Sequence, residues 1–168
     1  MNASQRGIDL IKFSEGFRAK AYKDSGGIMS IGWGHAIKPN ESFSEITAEE
    51  GERLLREDLY SADRCINVSL GTRIKEQNEF DALISFIFNI GCGAFQSSNV
   101  FKYLKIGEYG SAFMYWSKWI HDSKMKAREG LVTRRRAEIT LFNEKNKYVT
   151  DKSIADLFIK DKVTSIAV

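Results

Sequence analysis

Glu15, Asp24 and Ser30 fall within one short stretch, SEGFRAKAYKDSGGIMSIGWGH from Ser14 to His35, and together carry the groups needed to cut a glycosidic bond. That reaction uses one carboxylic acid to protonate the leaving oxygen and one carboxylate to activate water or to attack carbon. Unequal surroundings must separate the two acids so that each takes a different role. A hydroxyl beside the carboxylate can hold the water. Spacing alone leaves a purely structural reading open. A glutamate at a helix end and an aspartate at a turn are commonplace in a chain with 22 acidic residues.

The elements that must position these groups follow from pattern. Ile8, Leu10, Ile11 and Phe17 recur at helical spacing, with Ser4 as N-cap and Gly16 as the stop, so a short helix over 4–14 places Glu15 at its negative end. There the helix dipole, with desolvation by apolar neighbours, disfavours the ionised carboxyl and suits Glu15 to the acid role. Asp24-Ser25-Gly26-Gly27 is a turn signal between strands expected near 17–23 and 28–33. Asp24 is then exposed among free backbone donors and stays ionised. Ile28, Ser30 and Gly32 share one strand face, slim enough for a cleft wall, while Met29, Ile31 and Trp33 share the other.

Beyond the hairpin, Thr47 and Glu50 make a capping box for a helix over 47–66, whose stripe is Leu54, Leu55, Leu59, Ala62 and Ile66. Residues 69–72 break it. The run from Glu79 to Gly91 is apolar nearly all round, as in a helix buried at the centre of a lobe. Further helices are expected near 100–105, 108–120, 133–146 and 152–162. In the last of these Ile154, Leu157, Phe158 and Val163 would pack as a terminal element rather than act on a membrane.

The implied fold is α+β and mostly α, in two lobes of a single domain over 1–168. A small hairpin lobe over about 12–50 is joined by the 47–66 helix to a larger helical lobe over about 72–146 plus 1–11, with a tail over 147–168. A polymeric substrate would lie between the lobes.

Composition narrows the functional classes. With 43% hydrophobic residues the chain can bury a sizeable core, and its single proline rules out a proline-rich linker. Net charge is +3. Lys118, Lys124, Lys126, Arg128, Arg134, Arg135 and Arg136 crowd one stretch, a face for an anionic partner or simply a solvated helix surface. Cys65 and Cys92 are too few for a disulfide framework and are expected to be reduced thiols. MNASQRGIDLIKF has no apolar signal core, so the protein is expected to be made in the cytoplasm and, if it works outside, to be let out by something else. His35 and His121 lack the spacing of a zinc site, and a Cys–His hydrolase built on Cys92 has little support. No metal, nucleotide or other cofactor is expected.

The words E-G-F-x-x-x-A-Y-x-D and S-I-G-W-G-H resemble the catalytic signature of the phage-type lysozymes, the muramidases used as endolysins. That family spaces Glu, eight residues, Asp, five residues, then Thr, and Glu15, Asp24 and Ser30 fall on those intervals. FDALISFIFNIGCGAF and GLVTRRRAEITLF resemble two further family segments, in the same order. The resemblance implies a lysozyme-like fold and cleavage of the β-1,4 bond between N-acetylmuramic acid and N-acetylglucosamine in peptidoglycan. Glu15 would be the general acid, with Asp24 positioning water and Ser30 helping to hold it. Many members are taken to invert, which needs carboxyls about 6.5–9.5 Å apart, and retention stays open here.

By the same resemblance Phe88 and Asn89 would contact glycan, although Asn89 also suits a helix end. Arg134 would pair with the small lobe's acids or with a peptide carboxylate. Trp33 would stack on a sugar or else serve as core. Arg135 and Arg136 are expected to be surface charges, and His35 a structural residue. Peptidoglycan is the expected partner, met by a monomer with help from charge on the wall or outer membrane, and released to the periplasm by a separate pore-forming protein. No nucleic acid is expected: a DNA-binding reading of TRRRAE leaves the Glu15–His35 words unexplained. A lytic transglycosylase and a non-catalytic wall-binding module are the remaining rivals.

Overall fold

The computed structural model describes residues 1–24, 26–122 and 125–159. Ser25 in the turn, Lys124 in the basic stretch and Lys160 to Val163 at the expected end of the tail helix lie outside them.

Helix α1 (Gln5–Glu15) starts at Ser4, whose hydroxyl accepts from the Arg6 N–H, and ends where the Gly16 N–H donates to the Lys12 carbonyl. A small antiparallel sheet follows in the order β1 (Arg18–Lys23), β2 (Met29–Gly32), β3 (His35–Ala36). Ser30 pairs with Tyr22 on one side and Ala36 on the other. The third strand departs from the expected two-stranded hairpin, and two residues are too few to show an alternating pattern.

Helix α2 (Ala48–Ser69) carries the Thr47–Glu50 capping box and crosses from one lobe to the other. Its N-terminal part contributes Leu54 to a small core with Ile31 and Ile46. Leu55, Leu59, Ala62 and Ile66 enter the main core. At Gly51 a Cβ would come within 2.9 Å of the Phe17 ring and 3.1 Å of Trp33, so the small lobe sits directly on the helix backbone.

Helix α3 (Gln77–Ile90) is the centre of the large lobe, with Phe80, Ala82, Leu83, Ile84 and Phe86 each 0% exposed. Around it lie α4 (Cys92–Gln96), α5 (Asn99–Ile106), α6 (Tyr109–Trp116) and α7 (Glu129–Asn143). Helix α8 (Asp151–Asp156) closes the described chain and places Ile154 and Phe158 in the main core. No described helix is long and apolar enough to cross a membrane.

Two expectations are overturned. Cys65 and Cys92 form a disulfide. Their Cα atoms stand 6.0 Å apart, within bonding range, because α4 begins against α2. Arg135 is not a surface charge but 0% exposed, since α7 turns it onto the face of Phe86, 4.8 Å from the ring centroid. Arg136 does face solvent, over Phe158.

Candidate active site

A cleft of about 520 Å³ runs between the sheet and the large lobe, and Glu15 and Asp24 both line it. Glu15 reaches it because α1 stops there. Gly34, in the turn after β2, lies beside Glu15, where a Cβ would stand in ordinary contact at 3.6 Å from Glu15 Oε2, and its φ of +85° is what favours glycine. Asp24 is set by its own turn: Oδ1 accepts from the N–H groups of Gly26 and Ile28, both at 2.8 Å. Among the described residues no donor reaches Oδ2. A carboxylate oxygen is therefore left for solvent or substrate.

The neighbour of Glu15 is not the apolar one expected. Arg134, 4% exposed, donates from Nη1 to Glu15 Oε1 at 2.5 Å. Its Nε reaches Ser85 Oγ at 3.2 Å and Glu138 Oε1 at 3.1 Å, and its Nη2 reaches the Ser85 carbonyl at 2.9 Å. Helix α7 lies beside α1 and α3, so a fixed cation from the large lobe meets the acid of the small one.

Behind Arg134 lies Glu138, 0% exposed. It also accepts from Ser85 Oγ at 2.7 Å, Arg135 Nη2 at 2.9 Å and Trp116 Nε1 at 2.9 Å. Among the described residues, Arg135 Nε and Nη1 have no hydrogen-bond partner. Each such buried donor costs about 1–3 kcal/mol. Burial also pulls the Arg135 pKa down to about 10, against the pull of Glu138.

Phe88 and Asn89 line the cleft at the end of α3, with Asn89 exposed one residue before the helix closes. Ser30 does not line it: with strands on both sides it is only 2% exposed. Trp33 does not line it either. It packs on Phe17 at 4.7 Å between ring centroids, with the Lys12 ammonium 4.5 Å from its ring and Gly51 beneath. The core reading of Trp33 describes its position. Serine at position 30 lacks the methyl that restricts threonine rotamers. The Ser30→Thr variant is therefore expected to turn over at least as fast as the wild type. A several-fold slower variant in a wall-clearing assay contradicts this.

Asp58 is a lining acid not singled out from the sequence. The available signal was its place four residues from both Leu54 and Ala62, a charge on the apolar stripe of α2. Its Oδ2 bonds His35 Nδ1 at 2.8 Å, and His35 Nε2 bonds Glu41 Oε2 at 2.9 Å. This gives the expected structural role of His35 its partners.

Burial of the His35 ring opposes its charge, but hydrogen bonds and attraction from Glu41 and Asp58 win and raise its pKa above 6.5. A backbone N–H from Lys38, then His35, hold Glu41 down at about 2. Burial pushes Asp58 upward, only partly offset by His35. The stabilisation from His35 is complete below pH 6.5 and fades as pH rises through its higher folded value. That from Glu41 is present above pH 4.5 and fades toward pH 2. Thermal melts should therefore show the wild type losing a few degrees between pH 6 and pH 8.5. His35→Gln should melt lower at pH 6 and lack that slope.

The basic stretch is thinner than its sequence suggests. Arg134 and Arg135 are buried, and Arg128 pairs with Asp122 at 2.6 Å.

The family model for phage lysozyme matches residues 12–138. An endolysin of Acyrthosiphon pisum secondary endosymbiont phage 1 is 39% identical over 145 residues, covering 84% of this chain and 98% of that protein. The endolysin of Salmonella phage P22 is 42% identical over 149 residues, with 84% and 98% covered. Among solved structures, the muramidase domain of SpmX from Asticaccaulis excentricus superposes with a TM-score of 0.76 at 34% identity, covering 84% of this chain and 97% of that one.

Proposed function

The chain belongs to the phage lysozyme family, and we propose from that premise that Glu15 and Asp24 are the acids with which it hydrolyses peptidoglycan as an endolysin. The observation that carries this reading is the cleft itself: Glu15 and Asp24, differently held, line it together with an aromatic, Phe88, and an amide, Asn89.

In this mechanism Glu15 gives its proton to the oxygen between N-acetylmuramic acid and N-acetylglucosamine. The carboxylate it leaves faces Arg134, a cation fixed before the reaction begins. Asp24, its Oδ1 occupied by two backbone donors, uses Oδ2 to orient the attacking water. Ser30, buried within the sheet, assists only by holding the strand that follows the Asp24 turn. Water attack opposite the leaving group inverts the sugar. Phe88 and Asn89 contact the glycan from the large lobe. No step calls for a cofactor.

The enzyme acts as a monomer, and its remaining exposed cations assist contact with an anionic wall or outer membrane. It reaches the wall through a separate pore-forming protein. The Cys65–Cys92 bond supports work beyond the reducing cytoplasm, because such bonds persist in oxidising compartments. Clearing of purified peptidoglycan sacculi tests the reading. Wild type should clear them and Asp24→Asn should not, whereas equal clearing by both would remove Asp24 from the mechanism.

A further inference from the structure

We propose that Glu138 is a positioning residue for the Glu15 acid, acting through Arg134; the inference rests on the muramidase reading above. Four charges alternate in a line from the core to the cleft: Arg135, Glu138, Arg134 and Glu15. Only the last belongs to the cleft. The first two are 0% exposed and cannot meet substrate.

The bonding of the line is directional. Arg134 spends Nε and Nη2 on Ser85 and Glu138, on the large-lobe side, and this leaves Nη1 aimed at Glu15. Glu138 in turn cannot rotate. Its Oε1 accepts from Ser85, Arg134 and Arg135, and its Oε2 from the Trp116 indole. A guanidinium is planar, so fixing two of its edges fixes the third. The network is not arranged to satisfy itself, since among the described residues two buried nitrogens of Arg135 have no hydrogen-bond partner while Arg134 has all its nitrogens engaged. Its geometry serves Arg134.

Without the Glu138 charge, two buried guanidiniums repel each other with nothing between them, and Arg134 shifts from Glu15. An acid displaced by a fraction of an ångström still binds alongside substrate but delivers its proton poorly. The loss then falls on kcat and not on KM.

The test measures rates on purified peptidoglycan at several substrate concentrations, corrected for folded protein, for wild type, Glu138→Gln, Ser85→Ala, Arg134→Lys and the paired variants. Glu138→Gln is expected to lower kcat by about 10- to 100-fold with KM within about twofold, and Ser85→Ala to lower kcat by about threefold. In the Arg134→Lys background either change should cost less than about twofold more, because the effect passes through Arg134. Equal losses in both backgrounds, or a fall in Tm with kcat per folded molecule intact, would reduce Glu138 to a core ion pair and overturn the proposal. If Glu138→Gln does not fold, Glu138→Asp, which keeps the charge but shortens its reach to Arg134, decides the same question by its coupling to Arg134→Lys. A wild type that releases no new sugar ends fails the muramidase reading itself and takes the proposal with it. An active wild type with uncoupled variants sinks the proposal alone.

Discussion

Replacing Glu15 with glutamine is expected to slow peptidoglycan hydrolysis by about 10²- to 10⁴-fold, the range for losing a positioned general acid. The change removes the proton and the charge that faces Arg134, and keeps the shape of the side chain. Glu15 is half-buried at the last turn of α1, and its hydrogen bond to protein comes from Arg134 Nη1. A glutamine carbonyl oxygen can accept that same bond, so the fold should persist and the melting temperature stay close to wild type. Binding to sacculi should survive as well, because Phe88, Asn89 and the rest of the cleft are untouched. Binding kept and turnover lost is the signature of a group that acts only in the transition state. Pull-down on sacculi with a parallel rate measurement checks both halves. A variant that clears walls at near the wild-type rate removes Glu15 from the chemistry.

Reducing the Cys65–Cys92 bond is expected to be the largest single change in stability. The bond closes a loop with a sequence separation of 27. Chain entropy for a loop of that length gives about 3.5 kcal/mol in favour of the folded state. For a chain of this size that corresponds to a fall in Tm of about 10 °C. The bond also ties α2 to the start of α4, so it holds together two elements that line the cleft through Asp58, Ser61 and Cys92. Melts with and without reductant, beside a Cys65→Ala, Cys92→Ala double variant, give the value. The double variant should melt low and ignore reductant, whereas a reductant-insensitive wild type would contradict the account.

How much of this was legible in the sequence depended on how local the cause was. Helix α3 was plain because the run from Glu79 to Gly91 is apolar nearly all round, and α2 because Thr47 and Glu50 cap each other three residues apart. The turn at Asp24 follows from one aspartate and two glycines and needed no distant partner. What required the tertiary fold was hidden. The disulfide joins residues on helices with another helix between them, and nothing near Cys65 indicates Cys92. Arg135 and Arg136 are neighbours in a run of like residues, and only the packing of α7 on Phe86 buries one and exposes the other.

The candidate site shows the same division. Glu15 and Asp24 were readable from spacing and family words. The partner that holds Glu15 was readable only as a match, and Glu138 behind it was missed, although it stands one helical turn from Arg134 on a face shared with buried Phe142. Ser30 and Trp33 were placed by strand alternation. That argument carried the strand through Trp33, whereas β2 ends at Gly32, and it could not show that the Ser30 face is buried.

The central claim is the bond cut and the way it is cut, and both are recorded in the ends of the product. Mass spectrometry of sacculi digested by the wild type should show fragments with reducing N-acetylmuramic acid ends, each heavier by one water than the glycan repeat. Glu15→Gln digests should show none. Fragments ending in anhydro-muramic acid would mean a lytic transglycosylase. Intact glycan strands would contradict the muramidase account outright.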